Sequence, residues 1–411
     1  MTHLRMLRAL IACGCLTYAS VGRADVVTDW NLITQPFAAT RPPGPSGLFD
    51  IAMVHAAMHD AIQAFEGRFE PYSASIPNAA GSPIAAAAAA AHGVLVALFP
   101  AEQAALDMTY QNYLLAQGLQ NDPGVAVGEQ AALNILTQRM NDGRFPSNFE
   151  EFVGGTEPGQ WRSELPTPRP MSTPWVADVV PFTLKESARL LAPPPPHLAS
   201  GAYAKAYNEV KELGELDSPA RTPEQTEIAY FFADNSIQYW NRLLRTVAET
   251  HLSDIGDSAR LFALVNLAMA DAGISAWYNK RHWGFWRPIT AIHEGDNDGN
   301  ARTEGDIEWV PFLTTPNYPD YTSGANSLSG AASRMLKHFF GTDKMELSLT
   351  SGNAQAVNPR FYSRFSEVAD DIVDARIYQG IHFRFADEVA RREATQVADW
   401  AFSHILRPIG R

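Results

Sequence analysis

Three clusters in the C-terminal half of the sequence hold residue types that can bind a tetrahedral anion and act on it. The first is Lys280-Arg281-His282-Trp283-Gly284-Phe285-Trp286-Arg287-Pro288. Lys280 and Arg287 are seven residues apart, close to two helical turns, so both cations can share one helix face. Pro288 then ends regular helix. A lysine point charge and an arginine donor fork, flanked by Trp283 and Trp286, suit an anion in a partly desolvated pocket. On an exposed face the same pair would simply be solvated. The second cluster runs from Tyr318 through Pro319, Asp320, Tyr321, Thr322, Ser323, Gly324, Ala325 and Asn326 into a helical pattern. Ser323 stands at an N-cap position, where first-turn amides carry positive partial charge, and Gly324 lets an anion approach the backbone. A plain serine cap is the structural alternative. The third cluster is Arg376-Ile377-Tyr378-Gln379-Gly380-Ile381-His382. On one unbroken helix, six residues would set Arg376 and His382 about 120° apart. A helix stop at Gly380, with a new helix near Phe383, would let His382 swing towards Arg376.

Other constellations are weaker. His55 and His59 are four apart, with Asp60 adjacent, a zinc-compatible spacing without an evident third ligand. Asp296-Asn297-Asp298-Gly299-Asn300 resembles a calcium loop, but lacks glycine at its sixth place and glutamate at its twelfth. Asp234 or Asp271 is a candidate partner for a pocket arginine, and Tyr318 and Trp283 are candidate walls.

The elements that must position these residues read as helices. Apolar residues recur at helical spacing over 47–66, 82–98, 101–117, 124–141, 202–214, 223–250, 256–280, 323–340, 359–379 and 384–406. Few runs alternate with period two, and no short repeat is present. Between about 142 and 200 the chain is irregular, with PTPRPMSTPW at 166–175 and the run Pro193 to Pro196 acting as extended connectors. The expected class is all-α, with two four-helix-bundle-like halves, 25–200 and 201–411, the second carrying the anion site.

The chain has 411 residues, enough for a sizeable core, and a formal net charge of -13. Nucleic-acid binding rests on phosphate neutralisation, so this charge argues against it, and anionic membrane surfaces would repel the chain. Residues 1–24 read as a signal peptide: Arg5 and Arg8, the apolar Ala9 to Tyr18, then the small residues Gly22 and Ala24. An exported, periplasmic or secreted protein follows. A lipoprotein reading through Leu10-Ile11-Ala12-Cys13 ranks second. Cys13 and Cys15 both lie in this leader, so the mature chain would offer no thiolate chemistry. No later membrane span is expected, and self-association into a homo-oligomer is left open.

In order, spacing and context the three clusters resemble the vanadium-dependent haloperoxidases and type 2 phosphatidic acid phosphatases, whose motifs are K-x6-RP, PSGH and SR-x5-H-x3-D. The resemblance is closest over about 226–405. Ala268-Met269-Ala270-Asp271-Ala272-Gly273-Ile274 and Phe285-Trp286-Arg287-Pro288 look like the haloperoxidase branch, and Ala52 to Ala61 looks like a helix of its bacterial members. The resemblance implies a pair of four-helix bundles and a vanadate cofactor, with phosphate able to occupy the same site. It implies that His382 bonds vanadium, or attacks phosphorus in a phosphatase. Lys280, Arg287 and Arg376 would neutralise equatorial oxygens, Lys280 would polarise bound peroxide, and Ser323 with the Gly324 amide would add hydrogen bonds. Three departures stand out. Ala325 replaces the acid–base histidine, whose loss typically costs 10²–10⁴-fold in rate, with Asn326, His282 or His293 as stand-ins. Thr322 and Ala375 replace the motif proline and serine. Ala386 replaces the aspartate that orients the histidine, with Asp387 one place late. Three functions follow: a peroxidase acting on peroxide and halide, an acid phosphatase, or an oxyanion binder impaired by Ala325.

Overall fold

The computed structural model describes residues 25–185 and 191–410; the leader reading over 1–24, with Cys13 and Cys15, lies outside the described residues. The N-terminal part forms α1 (Val26–Ala38), α2 (Ser46–Glu66), α3 (Pro83–Leu98), α4 (Gln103–Gln117) and α5 (Gly124–Gln138). After an irregular stretch come α6 (Gly201–Leu213), α7 (Pro223–Phe231), α8 (Ser236–His251), α9 (Ile255–Trp283) and the short α10 (Pro288–His293). The chain closes with α11 (Gly324–Phe340), strands β1 (Lys344–Leu349) and β2 (Arg360–Arg364), α12 (Phe365–Tyr378) and α13 (Arg384–His404). The described residues are thus mainly helical, as the apolar spacing predicts.

Three local departures from the sequence reading have simple causes. Helix α1 was not anticipated; Asp25 caps it by accepting from the amides of Val27 and Thr28, and it buries Trp30. The single helix expected over 223–250 is two, because Asn235 starts α8 by accepting from Ile237 N at 2.9 Å. The start of the helix expected over 359–379 is β2, paired antiparallel to β1 with Leu347 opposite Tyr362.

The core is organised on α9, which packs against α2 on one side and α11 on another, while α13 lies along α11 and α3 along α5. Asp254 caps α9, and Gly284 ends it in the left-handed region. No membrane span was expected beyond the leader, yet α9 is long and apolar enough to be one. It is instead a core helix, with 94% of its most apolar window buried inside the protein.

Candidate oxyanion site

Each cluster reaches the site by a helix end, where backbone groups lack intrahelical partners. Lys280 lies in the last turn of α9, but Arg287 lies beyond it, at the cap of α10. The shared helix face expected for this pair is therefore wrong: Gly284 ends α9 between them. The turn brings Arg287 back instead. Its Nε donates to Tyr318 O at 2.8 Å and its Nη1 to Ile381 O at 2.6 Å. Ser323 does occupy the N-cap position of α11, but its hydroxyl does not cap the helix, so the plain-cap alternative fails. Gly324 opens the helix directly beneath Trp277, where an added Cβ would sit 2.8 Å from the indole. As expected, α12 ends before Gly380, whose φ is +75°, and α13 starts at Arg384. A Cβ on Gly380 would also meet Gly214 O at 2.3 Å, so only glycine fits this turn.

The turn at Gly380 folds His382 back against Arg287. The His382 Nε2 lies 3.1 Å from Arg287 Nη1, and both residues are buried. Arginine only donates, so Nε2 accepts with its lone pair. The other ring nitrogen, Nδ1, is 2.7 Å from Asp320 Oδ1, an ion-pair distance whose angle falls short of a regular hydrogen bond. Asp320 Oδ1 is also 3.7 Å from Arg287 Nη1. Arg376 is anchored through Gln379 Oε1 at 2.9 Å and Phe232 O at 2.8 Å. Lys280 donates to the carbonyls of Pro319 and Asp320 at 2.6 and 2.9 Å.

A cavity of about 180 Å³ opens on this cluster. Its lining includes His382, Arg376, Gly324, Ala325, Trp277, Tyr318 and Asp234. Buried donors close to it lack partners within the protein, namely Arg287 Nη2 and Arg376 Nε. Ser323 Oγ also has no hydrogen bond of regular geometry, although the hydroxyl is near enough to pull the Asp387 carboxyl downward. Unpartnered buried donors are costly. Here they surround an unprotonated imidazole nitrogen, the donor set that a tetrahedral oxyanion satisfies.

Electrostatics agree with a neutral His382. Burial, then the charges of Arg287, Lys280 and Arg376, holds its pKa well below the usual histidine value. Burial likewise lowers Lys280 and Arg287 and raises Asp320. The opposite charges of Asp320 and the two cations pull each of these groups back towards its charged form. Asp387 is pushed up to about 7 by burial.

Several expected roles move. Asp387 does not meet His382; it accepts from Asn326 Nδ2 at 2.8 Å, and Asp320 takes its place at the imidazole. That engagement removes Asn326 from the stand-in role. His282 stacks near Tyr278, and His293 Nε2 binds Trp309 O at 2.8 Å, so neither replaces the missing histidine. Trp283 lines a separate surface hollow; the indole at the cavity is Trp277. Asp234 pairs with Arg242 at 3.1 Å, and Asp271 accepts the amides of Phe182, Thr183 and Leu184, so neither partners a pocket arginine. His55 and His59 bind Asn31 and the Glu70 carbonyl, Asp298 binds Thr303, and no cluster with metal-ligand geometry occurs among the described residues. The sequence reading missed the role of Asp320. Its only signal was a carboxylate three residues before Ser323, and no spacing ties it to His382.

Residues 260–411 match the family described as the VCPO second helical-bundle domain. The vanadium chloroperoxidase of Curvularia inaequalis is 28% identical over 190 residues, which are 38% of this chain and 30% of that protein. The aligned stretch is thus less than a third of that relative's length. Across nearly the whole chain, the fold is similar to a solved bacterial vanadium-dependent iodoperoxidase, with a TM-score of 0.78 at 23% identity, covering 93% of this chain and 96% of that one. An apo-type bacterial vanadium-dependent chloroperoxidase gives a TM-score of 0.70 at 19% identity, covering 90% and 96%. The three clusters thus converge inside a helical fold similar to that of solved vanadium-dependent haloperoxidases, with residues 260–411 matching the VCPO second helical-bundle domain.

Proposed function

We propose that this protein is a vanadate-dependent, haloperoxidase-like enzyme that oxidises halide, or another two-electron donor, with hydrogen peroxide. The observation that carries the reading is the lone pair of His382 Nε2 set among buried donors that lack partners. His382 would hold vanadium through Nε2. Arg287 Nη2, Arg376 Nε, Ser323 Oγ and the first-turn amide of Gly324 would serve its oxygens. Lys280, Arg287 and Arg376 supply positive charge for an anion, set against the buried carboxyls of Asp320 and Asp387 and the Asp234 that lines the cavity. When bound, vanadate supplies a Lewis acid that activates peroxide oxygen. Burial keeps bulk water from the imidazole, so these donors act in a low-dielectric setting where they count for more.

A second reading rests on Ala325, which lines the cavity where the superfamily's acid–base would stand. It makes the protein an oxyanion binder of phosphate or vanadate with slow turnover. Phosphate ester hydrolysis, with His382 Nε2 as nucleophile, suffers the same lack of a proton donor. Small-molecule substrates and export belong to the main proposal, the latter on the leader-like residues 1–24.

The test is the mature protein supplied with orthovanadate, peroxide, a halide and an organic halogen acceptor. Halogenation is expected, and His382→Ala is expected to abolish both turnover and stoichiometric vanadium content by metal analysis. Retained vanadium in that variant refutes the assigned ligand. Vanadate-inhibited hydrolysis of an aryl phosphate, without halogenation, shifts the assignment to a phosphatase. Anion binding with neither activity leaves the impaired binder.

A further inference from the structure

We propose that Asp320 is the positioning residue for His382: with Arg287 it holds the imidazole in the tautomer protonated on Nδ1, so that the Nε2 lone pair, which accepts from Arg287 Nη1, stays unprotonated and can turn to an oxyanion. The inference rests on the reading above that Nε2 is the anion-facing atom, and it assigns the role that the sequence pattern leaves to Asp387.

The argument is geometric. Nε2 is 3.1 Å from Arg287 Nη1, a group that can only donate, so the proton of a neutral ring must sit on Nδ1. Nδ1 lies 2.7 Å from Asp320 Oδ1, within ion-pair distance although not aligned as a regular hydrogen bond. A carboxylate behind an imidazole fixes ring orientation and raises the basicity of the opposite nitrogen. Asp320 is itself held from both sides of its backbone. Its amide donates to Phe285 O at 2.9 Å, and its carbonyl accepts from Lys280 Nζ at 2.9 Å. Lys280 also holds the preceding Pro319 carbonyl at 2.6 Å. Lys280 therefore acts on His382 at one remove, through the loop that carries the carboxylate. Asp387, by contrast, engages Asn326 Nδ2 through Oδ1 at 2.8 Å.

The experiment uses the full protein with ¹⁵N-labelled histidine, first without vanadate. The wild-type ring of His382, assigned by its disappearance in His382→Ala, is expected to show a protonated Nδ1 and an unprotonated Nε2. Asp320→Ala leaves only Arg287 Nη1 to favour this tautomer, so the share of ring protonated on Nε2 should rise measurably above wild type. It should also weaken binding of inorganic phosphate and of orthovanadate by about 10–100-fold, the usual effect of losing such a supporting carboxylate. Asp320→Asn, whose amide oxygen can accept the same N–H, should recover the tautomer and most of the affinity, which a merely structural role would not predict. A wild-type ring protonated on Nε2 overturns the assignment even if Asp320→Ala does not fold. So does Asp320→Ala with wild-type shifts and affinity. A wild type that binds neither anion, yet shows a protonated Nδ1 whose share falls in Asp320→Ala, supports Asp320 and refutes the proposed function instead.

Discussion

Lys280 has no exposed surface, and its ammonium donates to two carbonyls, those of Pro319 and Asp320, rather than to a carboxylate. Desolvation, then the neighbouring Arg287 charge, lowers its proton affinity, and the fixed carbonyl dipoles compensate in part. The cation thereby braces a loop as well as adding positive charge to the site. At position 325 the situation is reversed: a methyl group lines the cavity, and His282, His293 and Asn326 are each engaged elsewhere. Restoring an acid–base should therefore show. Ala325→His is expected to raise turnover by about 100-fold, the lower end of what a positioned proton-transfer group contributes. Steady-state rates at saturating vanadate measure this, and an unchanged rate means that some other group already moves the proton.

Helix α2 shows how an element carries polar groups through a core. Its two histidines are fully buried and use the same ring nitrogen in opposite roles. His55 Nε2 accepts from Asn31 Nδ2 at 2.8 Å, the amide being oriented by Arg245 Nη1 on Asn31 Oδ1 at 2.5 Å. His59 Nε2 donates to Glu70 O at 3.1 Å. Burial, then the Arg245 charge, lowers His55 to about 3, and burial lowers His59 to about 4. The unfolded chain binds these protons near 6.5 while the fold refuses them, so their contribution is complete above 6.5 and is lost as pH falls towards the folded values. Asp60 on the same helix, pushed up to about 7, has the opposite sign: its contribution is complete at low pH and declines as pH rises to 7. A single variant isolates one term. At pH 5 His55 sits 1.5 units below 6.5, which at about 1.36 kcal/mol per unit is about 2 kcal/mol. His55→Gln keeps an acceptor for Asn31, and denaturant titrations should show the stability gap between pH 7 and pH 5 narrowing by about that amount. An unchanged gap would mean that His55 is not neutral in the fold.

At the scale of the whole molecule, the irregular stretch is a docked strap rather than a loose connector. Asp271 in the middle of α9 accepts the amides of Phe182, Thr183 and Leu184 at 2.5, 2.7 and 2.9 Å, and the Thr183 hydroxyl at 2.6 Å. Tyr72 from the N-terminal part holds Phe182 O at 2.8 Å, and Trp400 of α13 holds Thr183 O at 3.1 Å. One short segment thus ties α9 and α13 to the loop that follows α2. Asp271→Ala leaves several donors unpaired, and urea unfolding should register a loss of about 3 kcal/mol or more. A loss below about 1 kcal/mol would mean that the strap adds little to the cooperative core.

Helix content, the stop at Gly380, and the identity of the cations and imidazole at the site were legible in the sequence, whereas the stop at Gly284 was not. They follow from periodicity, backbone freedom and side-chain chemistry, which are local properties. Pairings across the fold were not legible. Lys280 and Arg287 meet around a turn instead of along a helix face, Asp320 stands behind His382 in place of Asp387, and Trp277 supplants Trp283 at the cavity. Each of these was decided by how helix ends pack, because residues 62 positions apart, such as Asp320 and His382, are brought to 2.7 Å only when α9, α11 and α13 close on one another. Sequence alone determined which donors and which imidazole are present in this protein; tertiary packing decided which atom serves which partner, since hydrogen bonds depend on distance and angle rather than on order along a chain.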